Sequence, residues 1–164
     1  LDAGCEVLLR PHPETLQRTP AVVDDLCRRF AARPGFHYQP DVSALDALLQ
    51  SRLMISDWSG AALEFGLGLE RPVIFVDVPR KVNNPGYEAL RLAPIEVEIR
   101  ARIGRIVSTD ALASLPGMIA EMCAEDRTAE RRATREESTF NPGHSARAAA
   151  EAIASLWHTL TRTQ

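Results

Sequence analysis

The chain has no stretch near the roughly 18 uninterrupted apolar residues of a membrane span, so none is read here. It has little net charge: 19 Lys and Arg against 22 Asp and Glu leave −3. That balance argues against nucleic acid as a partner. It has few cysteines, only Cys5, Cys27 and Cys123, odd in number and widely spaced. No Cys-x-x-Cys or Cys/His pattern occurs, which disfavours a metal site and structural disulfides. The three read as small buried apolar residues of a protein from a reducing cytosol. There is no internal repeat and no low-complexity linker, so one domain accounts for residues 1–164. The chain opens Leu1-Asp2-Ala3-Gly4-Cys5. It has no starting Met, no basic start and no apolar run of a secretory signal, and the expectation is a fragment of a longer protein.

What is present is a globular composition, 45% apolar and 25% charged over 164 residues. That length supports a real hydrophobic core and excludes disorder as the main state. Apolar runs alternate with amphipathic segments. Short strands are expected at Glu6–Arg10, closed by Pro11-His12-Pro13, at Phe36–Tyr38, at Leu53–Asp57 and at Val73–Val76. A fifth falls at one of two alternating stretches, Ile95–Ile99 or Ile103–Val107. A helix is expected from Pro20, with Thr19 as its cap, to Pro34-Gly35. Others follow at Asp41–Ser51, carrying Val42, and from Ser59-Gly60 to Arg71-Pro72. Asp77–Glu88, with Pro79, Asn83, Asn84, Pro85 and Gly86, reads as a loop. Asp110–Cys123 is helical with a break near Pro116-Gly117, and Ala124–Ser138 is helical and charged. Within it, Arg127–Arg135, interrupted by Glu130, reads as a solvated face. A last helix runs from Ser145 to about Thr161 with Ala149, Ile153, Leu156, Trp157 and Leu160 on one stripe. Strands alternating with helices predict an α/β fold, a Rossmann-like, doubly wound parallel sheet.

Such sheets bind ligands at the carboxyl ends of their strands. Three expected strand ends are polar: Arg10-Pro11-His12-Pro13, Ser56-Asp57-Trp58-Ser59-Gly60, and Asp77 onward. The second runs through Ser and Gly straight into a helix, whose free N–H groups and dipole favour an anion. Gly60 would let a phosphate come close, Ser59 could donate to it, and Glu64 could accept from ribose hydroxyls. The plainer alternative makes Ser59 only an N-cap and Glu64 a solvated helix residue. His12, aimed by two prolines, suits a general base or a phosphate partner, or packs structurally at a strand end. Trp58 could stack on a base or sit in the core. His37, His144 and His158 read as surface or capping residues.

Taken in order, Val7-Leu8-Leu9-Arg10-Pro11-His12-Pro13, Leu53-Met54-Ile55-Ser56-Asp57-Trp58-Ser59-Gly60, Glu64-Phe65 and Arg71-Pro72-Val73-Ile74-Phe75 resemble the CDP-glycerol glycerophosphotransferases of teichoic-acid-type polymer synthesis. The segment Phe140-Asn141-Pro142-Gly143-His144-Ser145-Ala146-Arg147 is similar to the family's closing Asp-Gly-x-x-x-Arg. The resemblance spans nearly the whole chain. It implies the C-terminal, donor-binding half of a GT-B fold, with the acceptor half in a missing N-terminal domain. The implied chemistry is attack of an acceptor hydroxyl on the β-phosphate of a CDP-alcohol, with release of CMP. His12 then matches the catalytic histidine. Arg10, Asp57, Ser59, Gly60, Glu64 and Arg147 form the implied substrate-binding set. No metal and no cofactor is implied. The implied partners are CDP-glycerol or another CDP-alcohol and a lipid-linked or glycan acceptor. The implied location is the cytoplasm, peripheral at the inner face of the membrane.

The chain departs from the family pattern at Trp58, Gly60 and Glu64, where the family carries Tyr, Ser and commonly Asp. Its Asp77–Glu88 loop lacks the family's Arg-Gly. Ser59-Gly60 with Glu64 also resembles the donor half of nucleotide-sugar glycosyltransferases and UDP-N-acetylglucosamine 2-epimerases. A non-catalytic α/β module that binds a nucleotide or a protein remains a further alternative.

Overall fold

A computed structural model describes residues 1–41, 43, 45–80, 84 and 86–162. Val42, Asn83 and Pro85, named above, lie outside the described residues. The strands are β1 (Val7–Leu9), β2 (Phe36–Tyr38), β3 (Met54–Ser56), β4 (Val73–Asp77) and β5 (Gly104–Ser108). The helices are α1 (Pro13–Arg18), α2 (Pro20–Phe30), α3 (Asp46–Gln50), α4 (Gly60–Leu63), α5 (Ile95–Ile103), α6 (Leu115–Ala124), α7 (Thr128–Ser138) and α8 (Ser145–Arg162). The chain is α/β, and every described ladder is parallel.

The strands form two small sheets where the sequence predicts one. β1 pairs with β2, Val7 opposite Phe36, and β3-β4-β5 form the second sheet in that order. Among the described residues no ladder joins the two. The core follows the same division: both core clusters draw only on residues from Leu48 onward. One face of the three-stranded sheet buries Val73 and Phe75 against Ala62, Phe65, Ile99 and Ile103. The other buries Ile74 and Val107 against Met122 of α6. The β1–β2 unit contributes Val23 of α2 as its buried apolar residue.

Local signals explain most boundaries. Thr19 precedes Pro20, which starts α2 because proline lacks the N–H that a first helical turn cannot use. The segment before it, Pro13–Arg18, is also a helix, α1. The third helix is shorter than expected: Asp41 accepts from the Ser43 N–H at 2.8 Å in a local turn, and α3 starts only at Asp46. α4 continues as a π-turn over Glu64–Gly68. Glu70, at φ 55°, then turns the chain into Arg71-Pro72 and β4. Of the two alternating stretches, the second holds the strand, β5, and the first folds as α5. The break in the next helix lies ahead of Pro116: a 3-10 turn over Thr109–Ser114 precedes α6. Arg127–Arg135 is not wholly solvated, since Arg131 and Thr134 are buried in α7. The three cysteines are free and half-buried. In α8 the stripe residues Ile153, Leu156, Trp157 and Leu160 face solvent. No described helix is long and apolar enough to cross a membrane.

Candidate functional site

The turn after β3 stands as the sequence predicts. Asp57 is exposed, Trp58 and Ser59 are half-buried, and α4 starts at Gly60. Ser59 is extended (φ −123°, ψ 133°), and its carbonyl accepts from the Ala62 N–H at 3.1 Å. Its hydroxyl makes no cap hydrogen bond. A Cβ on Gly60 would meet no atom within 4 Å, so the space over the turn is open. The Gly60 and Ala61 N–H groups open the helical segment, ahead of any carbonyl one turn back within it. Glu64 is exposed and opens the π-turn, a distortion frequent at functional sites.

Trp58 links this turn to the ends of two other elements. Its Nε1–H donates to the Val78 carbonyl at 2.8 Å, just past β4. Its ring lies 3.8 Å from the Arg100 guanidinium carbon and 6.0 Å from that of Arg80. Arg80 also lies 4.9 Å from the Tyr87 ring. Arg100 is 3% exposed and donates from Nη1 to Asp77 Oδ1 at 3.2 Å. Trp58 is therefore neither plain core nor a free stacking platform: it packs between arginine and strand ends. α5 places Arg100 there. Ile99 and Ile103 sit four residues apart on its buried face, and Arg100 follows Ile99 toward the carboxyl end of β4.

Compared with known proteins, the chain matches no family model, no curated protein and no solved structure.

Asp57, Ser59, Gly60 and Glu64 share one strand–turn–helix segment. Arg10 and His12 lie on the β1 unit, with Arg10 half-buried and His12 exposed. His12 caps α1: its Nδ1 accepts from the Glu14 N–H at 3.1 Å. The neutral ring then carries its proton on Nε2, so the outward atom is a donor. Of the two roles considered for His12, that geometry suits the phosphate partner and not the base. Arg147 is not brought to the other candidates; it is exposed on α8, 3.8 Å from Glu151. Sequence reading missed Arg100 and Arg80. A helix signal around Arg100 was present: Glu96 and Glu98 in the first turn, Arg100 and Arg102 in the last, and Gly104 at the cap.

A cleft of about 270 Å³ opens at the opposite, amino end of the sheet, between Arg52, Glu70, Arg71, Cys123, Glu125 and Arg131. Its charges serve the fold. Arg71 Nη1 donates to the carbonyls of Leu48, Leu49 and Ser51 at 3.3, 2.5 and 2.6 Å. Glu70 is held by Arg132 at 2.8 Å and Arg135 at 2.9 Å. The Arg132 hydrogen bond, followed by the charges of both arginines, holds the Glu70 carboxyl below the usual glutamate range. The strand-end site is thus the better candidate, despite the cleft's volume. Among the described residues no cluster of His, Cys, Asp and Glu could hold a metal ion.

Proposed function

We propose that the chain is the donor-binding domain of a CDP-glycerol glycerophosphotransferase or a related CDP-alcohol transferase. The observation that carries this is positional. Two of the ordered motifs of the resemblance fall just past the carboxyl ends of parallel strands: His12 after β1 and Ser59-Gly60 after β3. That is where α/β sheets bind nucleotides. One doubly wound sheet would run β2-β1-β3-β4-β5, and β1 and β3 are outer strands of their sheets, as that order requires. The GT-B assignment extends the same reading.

The acceptor hydroxyl oxygen forms a bond to the β-phosphorus. The bond from that phosphorus to the bridging oxygen breaks, CMP leaves with the electron pair, and the hydroxyl proton passes to solvent. Ser59 and the N–H groups at the start of α4 hold the diphosphate. The His12 Nε2–H donates to a phosphate oxygen. Glu64 accepts from the ribose. Arg10, Asp57 and Arg147 stay assigned to substrate through the resemblance alone.

Calorimetric titration with CMP, CDP, UMP and UDP tests the reading. The expected result is a preference for CDP, weakened about tenfold in Ser59→Ala, the effect of one hydrogen bond to a charged group. A preference for uridine moves the assignment to a nucleotide-sugar transferase or epimerase half. Absence of binding by all four counts against a nucleotide role for this chain.

A further inference from the structure

Arg100 is a buried cation with an incomplete set of partners. Nη1 is bonded to Asp77, but Nε and Nη2 are buried with no hydrogen-bond partner among the described residues. Those two nitrogens lie side by side along one edge of the planar guanidinium. That edge takes both oxygens of an oxyanion in parallel. The Trp58 ring at 3.8 Å and the Phe75 ring at 5.2 Å lie against the guanidinium as cation–π contacts. Such contacts fix the cation and satisfy none of its in-plane donors. A guanidinium also cannot shed its charge to escape burial. The free edge therefore calls for an acceptor.

Its surroundings narrow the acceptor's chemistry. Arg80 lies against the same Trp58 ring. The carboxylates of Asp77 and Asp57 balance the two arginines at the strand ends, so the guanidinium fork and not a surplus of positive charge selects the acceptor. We propose that Arg100 is an oxyanion-binding residue: its Nε and Nη2 take two oxygens of a phosphate group, Arg80 supplies the second charge, and Trp58 holds the plane. The donor reading above says what that phosphate is attached to; the oxyanion edge rests on it for nothing else. The edge is closed to solvent, so an arriving phosphate displaces the groups over it. Asp77 holds Nη1, the nitrogen outside that edge, by one bond from a carboxylate 53% exposed, so it opposes an arriving anion through its charge and does not occupy the edge.

The test uses inorganic pyrophosphate and the fluorescence of Trp58 in a Trp157→Phe background, where it is the sole tryptophan. Pyrophosphate is expected to change the emission saturably at constant ionic strength. Arg100→Lys, which keeps the charge and loses the fork, is expected to raise Kd about tenfold. Asp77→Asn, which removes the competing carboxylate, is expected to lower it. No saturable response, an unchanged Kd in Arg100→Lys, or weaker binding in Asp77→Asn overturns the proposal. If Arg100→Lys loses its far-ultraviolet dichroism, the wild type and Asp77→Asn decide. Acetate binding as well as pyrophosphate overturns the phosphate assignment. Pyrophosphate binding through Arg100 without binding of any cytidine nucleotide sinks the donor reading and keeps this one. CDP binding with equal affinity in Arg100→Lys does the reverse.

Discussion

At the amino end of β4, Arg71 donates to three carbonyls, and Arg132 and Arg135 grip the nearly buried Glu70 carboxylate. At the carboxyl end of the same strand, Arg100 is more deeply buried yet keeps two donors unpaired. The difference separates structure from function. A satisfied arginine stabilises the fold that satisfies it. An unsatisfied, buried one costs stability that a ligand completing its hydrogen bonds would offset. The glycines follow the same division. Gly104, facing Val73 at the amino end, sits where backbone meets backbone, whereas Gly60, after β3, faces open space.

The glycine pair gives the largest expected contrast. A Cβ at Gly104 would lie 2.0 Å from the Val73 carbonyl oxygen, a backbone atom that cannot rotate away. Gly104→Ala should cost more than about 4 kcal/mol, enough to unfold the chain. Gly60→Ala should change stability by less than about 1 kcal/mol. Urea denaturation reads both. Equal costs at the two positions would erase the distinction between the ends.

The arginine pair comes next. Arg71→Ala leaves carbonyls without their charged donor and should cost about 2 kcal/mol. Arg100→Met fills a similar volume, removes two unpaired donors and leaves Asp77 to water. Its stability should stay within about 1 kcal/mol of wild type, or rise. If Arg100→Met proved the more destabilising of the two, Arg100 would belong with the structural arginines.

The sequence disclosed the strand and the helix start better than the arginines at either end of the sheet. β4 was legible because Val73–Val76 is a continuous apolar run after a proline, and the Ser59-Gly60 helix start because its residue types suit that geometry. Arg100 was hidden by Ile95-Glu96-Val97-Glu98-Ile99. Its period-two alternation imitates a strand, while the charges at its two ends and Gly104 mark a helix. Tertiary packing settles it, since only a helix brings Ile99 and Ile103 onto the one cluster with Phe65. The two separate sheets were not legible either. Three-residue strands carry too little pattern to say which edges pair. Nor could spacing show that Glu70, at φ 55°, and Arg132, 62 positions later, would meet.

Glu70 supplies the smallest effect and the finest test of the amino end. The Arg132 hydrogen bond and the charges of Arg132 and Arg135 lower its pKa from the usual 4.5. A carboxyl whose folded pKa is depressed stabilises the fold fully above its unfolded pKa, and that contribution disappears as pH falls through the folded value. The stability gap between wild type and Glu70→Gln should therefore hold steady near neutrality, shrink below pH 4.5, and close in stronger acid. Chemical denaturation across that range measures it. Glu70→Gln leaves the left-handed backbone at this position as it is, so a gap that persisted into strong acid would assign its effect to something other than the carboxylate's charge. A gap that closes assigns it to the arginine grip, and so to the satisfied charges that distinguish this end of the sheet from Arg100.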